Sequence, residues 1–135
     1  MKLNSDSFGR IAVYGLLAII VSFLLWRYQT PKEYVPTQQD DINQRLSSKA
    51  LEYSRHAECR MDCREISKQE VKNAMYAGKY NPAKSQQPDG GCPRFAMEDR
   101  TDDGQRIRII FAACDDKTVV VTAIDLGEDH QCHCN

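Results

Sequence analysis

The fold is decided by residues 94–126, which read RFAMEDRTDDGQRIRIIFAACDDKTVVVTAIDL. Three segments rich in β-branched and aromatic residues are separated there by the turn formers Asp102-Asp103-Gly104 and Asp115-Asp116. Alternating apolar and polar residues are typical of strands that bury one face. The pattern predicts an antiparallel sheet of three, or at most four, strands, with the three long ones at 94–101, 105–114 and 118–126.

Two helices are predicted before this sheet. One set of apolar residues recurs at every third or fourth position, namely Ile42, Leu46, Ala50, Tyr53, Ala57 and Met61. This spacing predicts an amphipathic helix that begins near Asp41. Ser67 with Glu70 forms a capping-box pattern and predicts a short second helix that ends at Gly78. Both helices can cover the apolar face of the sheet, so the predicted fold is an α+β domain over residues 42–135.

The N-terminal segment has a different character. Residues 11–26 form an uncharged run, IAVYGLLAIIVSFLLW, between Arg10 and Arg27. At about 1.5 Å per residue the run reaches roughly 24 Å, and the flanking arginines can extend toward lipid headgroups. No small-x-small cleavage pattern follows it, so residues 1–27 are predicted to be a transmembrane signal-anchor. Residues 28–41 contain two prolines and no apolar periodicity, which predicts an extended linker.

The charge balance bears on the expected partners. Eighteen Lys and Arg residues stand against nineteen Asp and Glu residues, for a formal net charge of -1. Without a basic excess no field gathers phosphate backbones, so nucleic acid is not expected as a partner. The expected contacts are the membrane, through the N-terminal helix, and a protein.

Six cysteines in so short a chain favour an oxidising compartment, where disulfides persist. The folded domain is therefore expected outside the cytoplasm, in the periplasm. If the first hairpin turns through residues 102–104, Cys92 lies opposite Cys114 on the neighbouring strand. Opposed cysteines lie within disulfide range, so this pair is predicted to be bonded.

Four cysteines then remain, in two close pairs. Cys59 and Cys63 are one helical turn apart, and Cys132 and Cys134 belong to the terminal sequence QCHCN. They can join the C-terminal segment to the first helix through one or two disulfides, with the pairing open. The same four can instead hold zinc as thiolates, or stay free thiols. Disulfides are the prediction, no cofactor is expected, and zinc is the alternative.

Residues 56–67, HAECRMDCREIS, carry a motif that continues with Glu70-Val71. The motif resembles the H-A-x-x-R-M-x-x-R-x-I-S-x-x-E-V signature of an uncharacterised bacterial family catalogued as domain of unknown function 4258. The likeness covers roughly residues 51–126. It departs at Glu65, where the family commonly has glycine, a residue that adopts a left-handed conformation at less cost.

The layout of that family resembles the small toxin endoribonucleases of the RelE and barnase-like group. This resemblance implies RNA cleavage without metal, with His56 as acid or base. The implied phosphate-binding groups are Arg60, Arg64, Arg106 and Arg108. Each residue also has a structural explanation, because Arg106 and Arg108 alternate with apolar residues as a solvent-facing row does. A shared layout is weak support for a shared function.

The sequence thus predicts a membrane-anchored, disulfide-bonded extracytoplasmic module that binds a partner. Catalysis is not expected, and no catalytic residue is assigned. The two alternatives are a metal-independent endoribonuclease and a structural zinc domain.

Overall fold

The computed structural model describes residues 5–29 and 36–134 of the chain. The chain divides into two units, Met1–Val35 and Pro36–Asn135. The described part of the first unit is a single helix, α1, at Ser5–Gln29. Its large apolar side chains from Val13 to Trp26 are exposed.

The prediction of a transmembrane anchor at 1–27 is wrong. Among the described residues, no helix combines the length and the apolarity that crossing a membrane requires. The uncharged run of residues 11–26 extends roughly 24 Å at about 1.5 Å per residue, which is shorter than a hydrocarbon core of about 30 Å. The predicted linker, 28–41, lies partly outside the described residues, and its last positions, 38–41, are helical.

The described part of the second unit contains three α-helices and five strands. Its helices are α2 at Gln38–Ser47, α3 at Arg55–Cys63 and α4 at Lys68–Ala77. Its strands are β1 at Ala50–Tyr53, β2 at Lys79–Tyr80, β3 at Arg94–Arg100, β4 at Arg106–Ala113 and β5 at Lys117–Asp125. The α+β class is confirmed. The three long strands begin and end close to the predicted positions.

The strands form one five-stranded mixed sheet in the order β1-β5-β4-β3-β2. β1 runs parallel to β5, and the other neighbours are antiparallel. The predicted sheet of three or four antiparallel strands is therefore wrong. The two strands that prediction missed are the edges, of four and two residues. Strands so short carry almost no alternation, so only their pairing partners reveal them.

The single helix predicted over residues 42–61 is divided by β1. The side chain of Ser54 begins α3, because its Oγ accepts from the backbone N–H of Ala57 at 3.0 Å. The same hydroxyl donates to the carbonyl of Val121 in β5 at 3.1 Å. Helix α2 begins earlier than predicted, with Thr37 and Asp40 as its capping box. Residues 50–53 fit the helical spacing of apolar residues, but they form a strand because they pair with β5.

The core lies between one face of the sheet and helices α2, α3 and α4. From the helices it takes Ile42, Leu46, Ala57, Met61, Val71, Ala74 and Met75. From the sheet it takes Phe95, Met97, Ile107, Ile109, Phe111, Ala113, Val120 and Ala123. The apolar positions of α4 and β4 are buried, and the predicted Ser67–Glu70 capping box is confirmed.

A β-bulge in β5 decides which side chains in its second half face the helices. Ile110 pairs with Thr122, but Phe111 pairs with Val120, so Val121 is an extra residue. Val120 and Ala123 are both fully buried although they are three positions apart. Beyond the bulge, Asp125 shares the helix-facing side with Ala123.

Candidate functional site

A polar cavity of about 490 Å³ opens at the end of the sheet where β5 stops. We name it the tail cavity, because residues 126–134, here called the tail, form one of its walls. The end of α3 contributes Arg64 and Glu65, the turn between β3 and β4 contributes residues 103–105, and the start of β4 contributes Arg106. The remaining lining residues are Asp125, Gly127, Glu128 and His130. Apart from the glycines, every lining residue is charged or polar.

Asp125 organises this cavity. Its side chain is 5 % exposed. Its Oδ1 accepts from the backbone N–H groups of Gly127 at 2.7 Å and Glu128 at 3.2 Å. Burial alone would raise the pKa of Asp125, but hydrogen bonds from Gln105, Gly127, His130 and Glu128 outweigh burial and hold that pKa well below its ordinary range. The side chain is therefore a buried, hydrogen-bonded carboxylate.

Gln105 connects three elements through one amide group. Its Nε2 donates to Asp125 Oδ2 at 2.7 Å and to the backbone carbonyl of Arg64 at 2.9 Å. The turn between β3 and β4 is thereby tied to the end of β5 and to the end of α3. Gln105 therefore holds together three of the segments that line the cavity.

Arg64 stands at the C-terminal end of α3 and reaches toward β5. Its Nη1 donates to the carbonyl of Ala123, while its Nε is buried without a hydrogen-bond partner in the described part of the chain. Burial lowers the pKa of Arg64, the positive charge of Arg60 lowers it further, and Asp125 and Asp129 oppose both effects. The guanidinium is thus a partly desolvated cation beside the buried carboxylate.

His130 brings the tail to this centre. Its Nε2 lies 3.0 Å from Asp125 Oδ2, and 24 % of its side chain is exposed. Because Asp125 is ionised, its Oδ2 accepts this hydrogen bond and Nε2 of His130 donates it. The pair is a histidine oriented by a buried carboxylate, an arrangement able to accept a proton from a bound group.

Three disulfides join the described cysteines. Cys59 is bonded to Cys134 and Cys63 to Cys132, with Cα atoms 5.8 and 5.9 Å apart. These two, here called the tail disulfides, connect successive turns of α3 to the tail. The third joins Cys92 to Cys114, whose Cα atoms are 4.7 Å apart, at the open end of the β3–β4 hairpin.

The four cysteines considered as zinc ligands are therefore not thiolates here. Among the described residues, no group of three or more His, Cys, Asp or Glu side chains is arranged to hold a metal ion. Zinc binding by these four cysteines, the alternative to disulfides, stays untested, because thiolates form only after the disulfides open.

The structure separates the residues suggested for RNA cleavage. Arg64 and Arg106 line the tail cavity, whereas His56, in the first turn of α3, is exposed and does not line it. Arg60 is partly buried, and its Nε has no hydrogen-bond partner among the described residues. Arg108 is paired with Glu98, its Nη2 lying 2.6 Å from Glu98 Oε1. Of these five residues, Arg64 and Arg106 line the tail cavity and the other three do not.

Sequence reasoning missed Asp125, Gln105 and the contact of His130. One local signal exists for Asp125, since an aspartate at a strand end with glycine two residues later is typical of an Asx turn. No local signal reveals Gln105 or the His130 contact. Both depend on residues that are distant in the chain and adjacent only in the fold.

Comparison with known protein families found one family model that matches this chain. The family model described as domain of unknown function (DUF4258) matches residues 53–125, more than half of the chain. The chain belongs to the DUF4258 family. The resemblance seen in residues 56–71 is thereby confirmed. Neither a search of curated proteins nor a search of solved structures found a match.

The DUF4258 match begins and ends at the last residues of two strands. The matched segment begins at Tyr53, the last residue of β1, and ends at Asp125, the last residue of β5. The bond between Cys92 and Cys114 lies inside it. The tail lies beyond it, so the tail disulfides and His130 attach a further segment to the matched DUF4258 portion.

Proposed function

We propose that this DUF4258 protein is a disulfide-bonded binding module and that the tail cavity is its recognition site. The observation that carries the proposal is the fixed position of the tail. Two disulfides and the Asp125–His130 contact hold a segment without helix or strand as a wall of the cavity. Because that wall is ordered before binding, a partner does not have to supply the ordering entropy.

The size and charge of the cavity are those of a recognition site. A volume of about 490 Å³ lies within the range of ligand pockets and admits one or two side chains of a partner. Its lining includes four carboxylates, from Glu65, Asp103, Asp125 and Glu128, against two guanidiniums, from Arg64 and Arg106. A partner surface that presents a basic side chain fits this excess of negative charge.

The proposed location is an oxidising, extracytoplasmic compartment such as the periplasm. Support comes from the disulfides, because all six cysteines are paired and such bonds persist where thiols are not kept reduced.

The test compares two histidines of the tail. Full-length oxidised chain is immobilised, and the proteins it retains from an extract of the exporting cell are measured for wild type, His130→Ala and His133→Ala. His133 is exposed and does not line the cavity, so it is the matched control. We expect His133→Ala to retain the partner as wild type does and His130→Ala to retain at least tenfold less. Equal retention by all three, or no specific retention by wild type, would contradict the proposal.

A second candidate function is acid–base catalysis, specifically metal-independent RNA cleavage. The observation that favours it is the presence of His130, Asp125 and the Arg64 guanidinium around one cavity. We place it second because the four carboxylates of the lining repel phosphate. It predicts that oxidised full chain cleaves RNA, that His130→Ala abolishes cleavage and that His56→Ala does not. Absence of cleavage by wild type, or equal cleavage by His130→Ala, removes this candidate.

A further inference from the structure

We propose that the tail disulfides are a redox-controlled attachment of the tail. A dithiol reductant opens both bonds, releases residues 129–134 and withdraws His130 from Asp125, while the rest of the domain stays folded. The effect on partner binding rests on the proposed function of the tail cavity. The release itself does not.

Within the described residues, few contacts other than the two disulfides hold the tail. The backbone N–H of Leu126 donates to the carbonyl of Arg106 at 2.7 Å, and Gly127 and Glu128 donate to Asp125. His130 then contacts Asp125. Beyond His130, within the residues described, the backbone bond present runs from Cys132 N to His130 O and stays inside the tail. The end of the tail therefore depends on its two disulfides for attachment.

The chain around the third disulfide, Cys92–Cys114, is held by more than that bond. Cys92 and Cys114 continue a paired hairpin, in which Arg94 lies opposite Ala112. The N–H of Ala113 donates to the carbonyl of Pro93 at 2.9 Å, and the N–H of Cys114 donates to the carbonyl of Lys117 at 2.9 Å. Opening this bond leaves its neighbours held by the sheet. Only the tail disulfides join a segment that lacks such support.

The tail disulfides are also within reach of a dissolved reductant. Cys59, Cys63, Cys132 and Cys134 are all partly exposed, and none is buried. Thiol–disulfide exchange requires a thiolate to reach one sulfur of the bond, and partial exposure permits that approach.

The chemistry balances with a dithiol as the reductant. One thiolate of the dithiol attacks a sulfur of Cys59–Cys134 and forms a mixed disulfide, and the other protein sulfur leaves as a thiolate that takes up a proton. The second thiol of the dithiol closes its own disulfide and expels the remaining protein thiolate, which is also protonated. Each protein disulfide gains two electrons and two protons, and each dithiol becomes one disulfide. Cys63–Cys132 reacts in the same way.

Release of the tail changes the cavity. His130 is then held by one partly exposed contact to Asp125, which does not offset the conformational entropy gained by a free segment. The part of the wall that His130 forms is lost, and Asp125 loses one of its donors, while Gly127 and Glu128 keep their bonds to Asp125. Oxidation restores the wall, because the disulfides form again between the same cysteines.

The experiment measures amide hydrogen exchange by mass spectrometry on the full chain, before and after treatment with dithiothreitol. The Cys92→Ser/Cys114→Ser variant is measured beside wild type, because its only disulfides are those of the tail. We expect four alkylatable thiols in the reduced variant and at least tenfold faster exchange of the amides of residues 129–134. Peptides from β3, β4 and β5 should keep their protection.

Two results overturn the inference. One is a tail that stays as protected after reduction as before. The other is a sheet that loses protection together with the tail, which makes the tail disulfides a requirement for the fold. If the variant does not fold, hydrogen exchange is compared between oxidised and reduced wild type in the same peptides.

The inference and the proposed function fail separately. If reduction releases the tail but oxidised chain retains no partner, the binding proposal fails and the redox attachment stands. If oxidised chain binds through His130 but reduction leaves exchange unchanged, the redox attachment fails and the binding proposal stands.

Discussion

Glu65 follows the last turn of α3 with a backbone φ of 56°, in the left-handed region. The N–H of Ile66 donates to the carbonyl of Met61 at 2.9 Å, and the N–H of Glu65 donates to the carbonyl of Asp62 at 3.4 Å. These two bonds form a Schellman motif, which satisfies the last carbonyls of the helix and favours glycine at the position of Glu65. The family signature commonly has glycine there, and the structure supplies the reason.

Replacing Glu65 by glycine should therefore stabilise the protein. We expect Glu65→Gly to raise the free energy of unfolding by about 0.5 to 1 kcal/mol, because the left-handed strain is relieved. Urea unfolding with the disulfides intact measures the change. Glu65→Ala is the control, since it removes the carboxylate but keeps the strain. A gain in Glu65→Ala as large as that in Glu65→Gly would assign the effect to charge.

Asp125 makes the stability depend on pH. Its folded-state pKa lies below the ordinary value of about 3.9, so its contribution to stability is complete above about pH 4. That contribution is lost as the pH falls from there toward the depressed folded pKa. Acid therefore weakens the tail cavity by protonating the side chain that four donors require.

Asp125→Asn should lower the free energy of unfolding at pH 7 by about 2 to 3 kcal/mol, because an amide leaves donors of the buried site without acceptors. Its stability should also fall less steeply than that of wild type below pH 4. Urea unfolding between pH 2.5 and 7 gives both values. Asp115→Asn, on the exposed β4–β5 turn, is the control. Parallel pH curves for wild type and Asp125→Asn would show that Asp125 has no such role.

At the scale of elements, α4 is specified by its own residues. Ser67 Oγ accepts from the backbone N–H of Glu70 at 3.2 Å, and the N–H of Ser67 donates to the Glu70 carboxylate at 2.7 Å. Both bonds connect residues three apart, so the sequence alone reveals them. Helix α3 also has a local start at Ser54, but its place depends on the bond from Ser54 to β5.

Ser67→Ala should lower the free energy of unfolding by about 1 kcal/mol, the usual cost of losing an N-cap. Ser47→Ala is the control, because its Oγ makes only a 3.4 Å bond to the carbonyl of Gln44 within α2. Thermal unfolding followed by circular dichroism compares the two. Equal losses would mean that the Ser67 cap does not stabilise α4.

At the scale of the whole molecule, the tail disulfides act as a unit. They close nearly the same loop, with sequence separations of 75 and 69 residues. In the chain-entropy account, either bond alone already restricts most of the unfolded chain that both restrict. Their contributions to stability should therefore not add.

We expect removal of both tail disulfides by serine substitution to lower the free energy of unfolding by about 4 kcal/mol. Cys59→Ser/Cys134→Ser or Cys63→Ser/Cys132→Ser alone should lose well under half of that. A double-mutant cycle by urea unfolding gives the coupling energy. Additive losses would mean that each bond stabilises its own local contact instead of the shared loop.

The sequence by itself determined the features that neighbouring residues encode. These are the α+β class, the three long strands and their turns, α4 with its cap, the family signature and the hairpin that brings Cys92 beside Cys114. Alternation, capping and tight turns act over a few residues, so each is legible in the chain.

Only the tertiary structure decided the parts that form the tail cavity. Edge strand β1 breaks a helical spacing because β5 supplies its hydrogen bonds, and the bulge at Val121 turns Asp125 toward the helices. The pairing of Cys59 with Cys134 and of Cys63 with Cys132, and the approach of His130 to Asp125, follow from where the tail crosses α3. These contacts join residues far apart in the chain, and their energy exists only once the sheet and α3 have been assembled.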